Sequence, residues 1–330
     1  MFGKLLQGIK NFFADDPEDL GPEELVALVL DKEAPEDRRK EGASCLSEIS
    51  DKISEMPASE SVKAAASNRM FTSLCGLLGQ AAEPAWLRLG AIRGMNEIAN
   101  ISRYDMDQSV IESGVDPLIA CLGASHSDEI RGAAAMCLSS LDDKLSDAVA
   151  AKAIEALLVN VRTGAGEVRG DALFSLGCFG DGRAKHLWAE AASYLGDPSA
   201  EVRAQAASCV HMIGNEDPDP AVIDRLIELL ETDPDEKVKN NSADALGNLG
   251  GNFAGSVVPA LTRALRNHEL RHMAIFALME FGEAASSAVP DLARYIDDDE
   301  HEDGVVMALQ AIGTDEARKL LRDNGHDEES

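Results

Sequence analysis

A pattern of small and apolar residues at helical spacing recurs along most of this chain. Its best copy is residues 201–214, which follow a Gly-Asp-Pro turn. Apolar and small side chains there fall on one face of a helix with about 3.6 residues per turn. The residues on this face are Val202, Ala206, Cys209, Val210 and Ile213. The pattern predicts an amphipathic helix whose buried face allows a neighbouring helix to approach closely.

The same start, a loop followed by an apolar position, a basic residue and an alanine-rich helix, occurs eight times in all. The basic residue that follows the apolar position is Arg39, Arg88, Arg131, Arg169, Arg203, Lys239 and Arg271 in the first seven copies. The last copy is degenerate and has Glu302 at this position. Partner helices are predicted between them, at residues 23–30, 69–78, 108–122, 148–161, 184–195, 221–230, 256–265 and 288–296. Repeats of this length indicate a helical solenoid, so an all-α chain of about eight hairpins is expected.

The motif Asp-x-x-x-Glu-Val-Arg-x-x-Ala-Ala-x-x-Leu-x-x-Ile-Gly is nearly intact at residues 197–214 and is echoed at 233–250 and 167–180. It resembles the HEAT repeat, and it is most similar to the short HEAT-like repeats of phycobilisome lyases. Residues 111–122 resemble an armadillo repeat instead. The resemblance covers residues 20–320 and implies a right-handed α-solenoid of HEAT/armadillo-like hairpins. Such signatures are specific for fold and poor for function.

Three segments are expected: an amphipathic N-terminal helix (1–20), the solenoid (21–322) and an acidic disordered tail (323–330). The apolar face of the N-terminal helix consists of Phe2, Leu5, Leu6, Ile9, Phe12 and Phe13. This face either caps the open end of the array or docks on a membrane or a partner. The cap is the preferred interpretation, because the acidic residues at 15–16 and 18–19 would oppose anionic lipid.

In the HEAT family the helix that begins with Val-Arg lines the concave side, so the resemblance implies that this helix carries the binding surface. Numbered from the valine, the fifth position is small, which permits close helix crossing. The seventh position points away from the core, and the third and tenth flank it. The predicted partner-binding row is Arg93, Met136, Phe174, Ser208, His211, Asp244, Asn240, His272, Phe276 and Met307.

Four large apolar residues in this row suit a protein segment as ligand. The alternative is that curvature and neighbouring helices bury them. The recurrent basic residue is expected to form ion pairs between repeats, because it lies beside acidic turns.

Two His-Glu pairs, His268-Glu269 and His301-Glu302, are the strongest hint of catalysis. They resemble the pairs that hold the di-iron centre of deoxyhypusine hydroxylase, a HEAT-repeat enzyme. That family has four pairs in equivalent positions, whereas this chain has two that are out of phase with each other. No metal, cofactor or catalytic residue is therefore expected. The six cysteines are widely spaced and are interpreted as small buried side chains in a reducing compartment.

The formal net charge of −29, from 59 acidic and 30 basic residues, disfavours binding to nucleic acid. No apolar run approaches the roughly 20 residues of a membrane span, and the N-terminus does not resemble a secretory signal. These features favour a cytoplasmic, non-catalytic scaffold or adaptor that binds a basic or amphipathic protein segment on its concave face. The alternative is an enzyme or enzyme subunit, either bilin lyase-like or metal-dependent.

Overall fold

The computed structural model describes residues 16–80, 83–101, 106–179, 182–298 and 300–326. Every regular element in these ranges is helical, as the sequence predicts. The chain divides into two compact units, Met1–Ser175 and Leu176–Ser330. The apolar face at Phe2–Phe13 lies outside the described residues, as do the last four residues of the acidic tail, so the roles of both segments remain predictions.

The first unit is built from helical hairpins in which a first helix leads into a second. Its helices are α1 (Pro22–Leu30), α2 (Glu36–Cys45), α3 (Ile49–Glu55), α4 (Glu60–Leu78), α5 (Ala85–Asn100), α6 (Gln108–Ser113), α7 (Val115–Cys121), α8 (Asp128–Ser139), α9 (Asp147–Thr163) and α10 (Glu167–Cys178), the last of which crosses the unit boundary. The second helices α2, α5 and α8 pack on one another in order, and the first helices α1, α4 and α6–α7 do the same. This is the stacking expected of a solenoid.

The second unit repeats this arrangement with shorter hairpins. Its helices are α11 (Trp188–Ser193), α12 (Ala200–Ile213), α13 (Pro220–Thr232), α14 (Glu236–Leu249), α15 (Ala254–Ala264), α16 (His268–Glu280), α17 (Val289–Leu292), α18 (Glu302–Ile312) and α19 (Asp315–Asp323). The second helices α12, α14, α16 and α18 pack successively against each other. Each unit is thus a run of stacked hairpins, and the chain has the predicted fold class, an α-solenoid of about eight HEAT/armadillo-like hairpins.

Proline divides one predicted helix. The expected helix over residues 108–122 is broken at Gly114 into α6 and α7. Pro117 has no N–H to donate to the carbonyl of Ser113, four residues earlier, and its ring would collide with that carbonyl. The continuous helical pattern therefore yields two short helices.

The face predicted for α12 is its core. Val202, Ala206, Cys209 and Val210 are fully buried, and Ile213 is nearly so. Ala204 occupies the third pattern position, which was expected to flank the exposed row, and it is also fully buried. The reason is that α14 lies over it, and Asn241 Nδ2 donates a hydrogen bond of 2.9 Å to the Ala204 carbonyl.

The recurrent arginine has a role besides the predicted ion pair between repeats, which is seen at Arg203 with Asp233. In most hairpins its guanidinium donates to a backbone carbonyl in the last turn of the first helix or just beyond it. The pairs are Arg39–Val29 (3.1 Å), Arg88–Leu78 (3.1 Å), Arg131–Leu122 (3.2 Å), Arg169–Val161 (2.9 Å), Arg203–Asp197 (2.9 Å) and Arg271–Leu265 (3.0 Å). These carbonyls have no partner within their helix, so the arginine caps the first helix and closes its own hairpin.

Candidate functional site

The ten residues of the predicted row lie on the second helices, from α5 to α18, and none of them is buried. Met136 is 40% exposed and Met307 is 48% exposed. The alternative that neighbouring helices bury these two methionines is therefore wrong. Phe174 and Phe276 are half-buried, so each is only partly accessible.

Four residues of the row come together in one pocket of about 390 Å³ in the second unit. They are His211 on α12, Asp244 on α14, and His272 and Phe276 on α16. The remaining lining residues are Gly247, Asn248, Met273, Ala277 and Glu280. We refer to this site as the α12–α14–α16 pocket. It spans three successive repeats, so residues far apart in sequence contribute to one surface.

Close packing of α14 on α16 shapes the floor of this pocket. Gly247 lies against Ala277, and a Cβ atom added to this glycine would be 2.9 Å from the Ala277 Cα. Only glycine allows the two backbones to approach this closely. On the other side of α14, Asn241 Nδ2 bonds to Ser208 Oγ at 2.8 Å, which fixes α14 against α12.

The polar groups of the pocket are incompletely paired. His211 Nε2 is 3.6 Å from Asp244 Oδ2, an ion pair only when the imidazole is protonated. His211 Nδ1 is buried and has no hydrogen-bond partner among the described residues. Glu280 is exposed, and within the described part of the chain it forms no ion pair. Two carboxylates are thus available to a ligand.

An aromatic wall forms one side of the pocket. The rings of His272 and Phe276 are 4.7 Å apart between centroids and are tilted by 48°. Met273 and Ala277 add apolar surface on the same helix. The pocket therefore combines aromatic and apolar surface with negative charge.

The other row residues lie outside this pocket, and several have partners of their own. Arg93 Nη2 pairs with Glu129 Oε1 at 3.0 Å, and Asn240 Nδ2 donates to the Glu236 carbonyl at 3.0 Å. Sequence reasoning missed Asn248 and Glu280. Both occupy the eleventh pattern position, one helical turn beyond the seventh, so extending the row by four residues would have found them.

The two His-Glu pairs do not form a metal centre among the described residues, where no group of three or more His, Cys, Asp or Glu side chains is arranged to hold an ion. His301 is buried, and its Nδ1 lies 2.9 Å from Asp298 Oδ1. This hydrogen bond lowers the pKa of Asp298. His268 Nε2 lies instead 3.2 Å from Glu300 Oε2.

The buried cysteines offer little reactive thiolate. Four of them, Cys75, Cys121, Cys137 and Cys209, are buried, while Cys45 and Cys178 are half-buried. Burial raises the pKa of Cys75 to about 12, so its thiol stays protonated at neutral pH. No helix in the described ranges is both long enough and apolar enough to cross a bilayer.

Comparison with known proteins identifies the repeats. Residues 154–247, 189–269 and 223–304 each match the sequence pattern of HEAT repeats. The chain is a HEAT-repeat protein. A comparison with curated proteins finds no match to this chain.

Three solved structures are similar to this chain, and the two with TM-scores above 0.5 show the same fold. A crystal structure of an engineered protein is 21% identical, with a TM-score of 0.53, over 92% of this chain and 82% of its own. The karyopherin Kap121p bound to the SUMO protease Ulp1p is 13% identical, with a TM-score of 0.55, over 94% of this chain and 38% of its own. The CpcE–CpcF complex of phycocyanin lyase from Nostoc sp. PCC7120 is 20% identical, with a TM-score of 0.48, over 83% of this chain and 94% of its own.

Proposed function

We propose that this HEAT-repeat protein is a non-catalytic scaffold or adaptor that binds a segment of a partner protein along the concave face formed by its second helices. The observation that carries the proposal is the α12–α14–α16 pocket, in which three repeats contribute to one surface. A ligand that contacts several repeats at once is an extended or helical peptide rather than a small molecule. A karyopherin of similar fold is seen with a protein bound, which supports the proposal by analogy.

Two exposed apolar side chains lie on second helices outside the pocket, one in each unit. Met307 and Met136 stand on the second helices and remain open to solvent. Methionine adapts its shape to different partners and is frequent at binding surfaces. We infer that these two side chains act as apolar anchors on either side of the pocket along the sequence.

Charge favours a basic or amphipathic partner. The net charge of −29 attracts cationic segments and repels nucleic acid. Electrostatic attraction of this kind mainly raises the association rate, and it weakens as salt is added. A cytoplasmic location fits the six free thiols, which persist in reducing compartments.

A matched pair of variants tests the binding face. Met136→Ser with Met307→Ser removes two exposed anchors from the second helices. Val62→Ser with Val159→Ser removes two comparably exposed side chains from the first helices α4 and α9. Peptides selected from a random library on the intact protein are then titrated against both variants by fluorescence anisotropy.

We expect the first variant to bind at least about tenfold more weakly, a loss of about 1.4 kcal/mol, and the second to bind normally. Equal affinity of both variants, or the larger loss in the Val62/Val159 variant, would contradict binding on the second helices. Circular dichroism of each variant checks that the fold is retained.

A further inference from the structure

We propose that the α12–α14–α16 pocket binds an arginine side chain of the partner segment. This inference rests on the proposed function and specifies the chemistry of one subsite on that surface. It follows from the charge, the aromatic wall and the pairing of the polar groups in the pocket.

The pocket is negative and lacks an internal cation. Its charged or titratable lining groups are His211, Asp244, His272 and Glu280, and neither lysine nor arginine lines it among the described residues. With both imidazoles neutral, the two carboxylates give a charge of −2. Several other acids of these repeats have a basic partner, for example Glu201 with Lys237 at 2.9 Å and Glu231 with Arg263.

The aromatic wall distinguishes arginine from other cations. A guanidinium is planar, stacks on an aromatic face and donates two parallel hydrogen bonds to a carboxylate. The half-buried Phe276 and the exposed His272 both line the pocket and offer aromatic surface for stacking, while Asp244 and Glu280 supply the carboxylates. An ammonium ion can pair with one carboxylate but does not stack in this way. The volume of about 390 Å³ falls within the range of roughly 300–1,000 Å³ seen for ligand sites.

The test uses peptides selected from a random library on the full chain, each then resynthesised with every arginine replaced singly by citrulline. Citrulline keeps the shape of arginine and removes its charge. Binding is measured by fluorescence anisotropy to the intact protein, to Asp244→Asn with Glu280→Gln, and to a control, Asp217→Asn with Asp224→Asn. The control removes the same charge from two exposed acids outside the pocket.

We expect one arginine whose replacement by citrulline weakens binding to the intact protein and to the control at least tenfold. The same replacement should cost less than threefold in the Asp244/Glu280 variant, and replacement by lysine should cost more than threefold in the intact protein.

Two outcomes would overturn the inference while leaving the proposed function standing. One is tight peptide binding with no dependence on arginine, and the other is a citrulline effect that persists in the Asp244/Glu280 variant. Failure of the library to yield any binder would overturn both.

Discussion

At the residue scale, Arg203 shows how one guanidinium joins two repeats. Its Nη1 caps the first helix of its own hairpin through the Asp197 carbonyl. Its Nε and Nη2 bind both carboxylate oxygens of Asp233, at 2.7 and 2.9 Å. Both side chains are nearly buried, with 12% and 4% exposed. Forked pairs of this kind are among the strongest in proteins, and this one fixes the end of α13 to α12.

Loss of this pair should destabilise the protein strongly. Arg203→Met leaves the Asp233 carboxylate buried without its cation, and we expect the free energy of unfolding in urea to fall by about 3 kcal/mol. The matched control is Arg263→Met, which removes the more exposed pair with Glu231 and should cost less than about 1 kcal/mol. Similar losses in the two variants would show that burial of the Arg203 pair adds nothing.

The effect of Arg203→Met should also depend on pH. Burial raises the pKa of Asp233, but the hydrogen bond from Arg203 and its charge outweigh burial, so the pKa lies below its ordinary value. A depressed pKa contributes stability above the unfolded value of about 3.9, and this stability is lost as pH falls through the folded pKa. The difference between wild type and variant should therefore be largest near neutral pH and shrink below about pH 4. A difference that is constant with pH would contradict the role of the Asp233 charge.

At the element scale, the spacing of successive second helices decides where the pocket forms. The approach of α14 to α16 depends on Gly247, and the approach of α12 to α14 is fixed by the Asn241 side chain. The small residue at the fifth pattern position was predicted to allow close crossing. Gly247 occupies the tenth pattern position. A second small residue is therefore needed where α14 and α16 cross and also line the pocket.

Gly247→Ala should therefore be destabilising in spite of the better helix propensity of alanine. The added Cβ would collide with Ala277 and overpack the crossing of α14 and α16, at a cost of about 1–3 kcal/mol. The control is Gly76→Ala on α4, where an added Cβ meets nothing within 4 Å and the propensity gain of up to about 1 kcal/mol should be retained. Urea unfolding of both variants measures the difference, and equal stabilisation by both would refute the close contact.

At the scale of the whole molecule, the dominant feature is negative charge. The chain has 59 acidic and 30 basic residues. Many of its ion pairs are exposed, such as Lys152–Asp116 and Arg93–Glu129. Exposed pairs contribute little, whereas unscreened repulsion among the excess acids opposes the compact state.

Added salt should accordingly stabilise the protein. Raising NaCl from about 0.01 to about 1 M shortens the screening length from roughly 30 to roughly 3 Å. We expect the melting temperature, measured by circular dichroism, to rise by roughly 2–4 °C or more, the shift that 1 kcal/mol produces in a domain of 150–250 residues. KCl at the same concentrations should act equally, because screening depends on ionic strength. A fall in melting temperature would mean that attractive pairs outweigh the repulsion.

Much of this protein follows from its sequence, because the signals involved are local and repeated. Helical periodicity, proline and glycine turns and the recurrence of one motif determined the all-α class, the number of hairpins and the buried face of α12. The same periodicity identified His211, Asp244, His272 and Phe276 as surface positions. Helical periodicity and turn signals depend only on residues within a turn or two of one another.

Tertiary structure alone decided how those positions combine. Most recurrent arginines bind backbone carbonyls, which carry no signal in the sequence, and only Arg203 among the described pairs also forms the predicted ion pair to the next repeat, with Asp233. Ala204 is buried because α14 covers it, and Glu280 lines the pocket because α14 and α16 cross closely at Gly247. Periodicity gives the direction of a side chain from its own helix axis. The distance to the next helix, which determines both pairing and the pocket, depends on side chains from different repeats packing together.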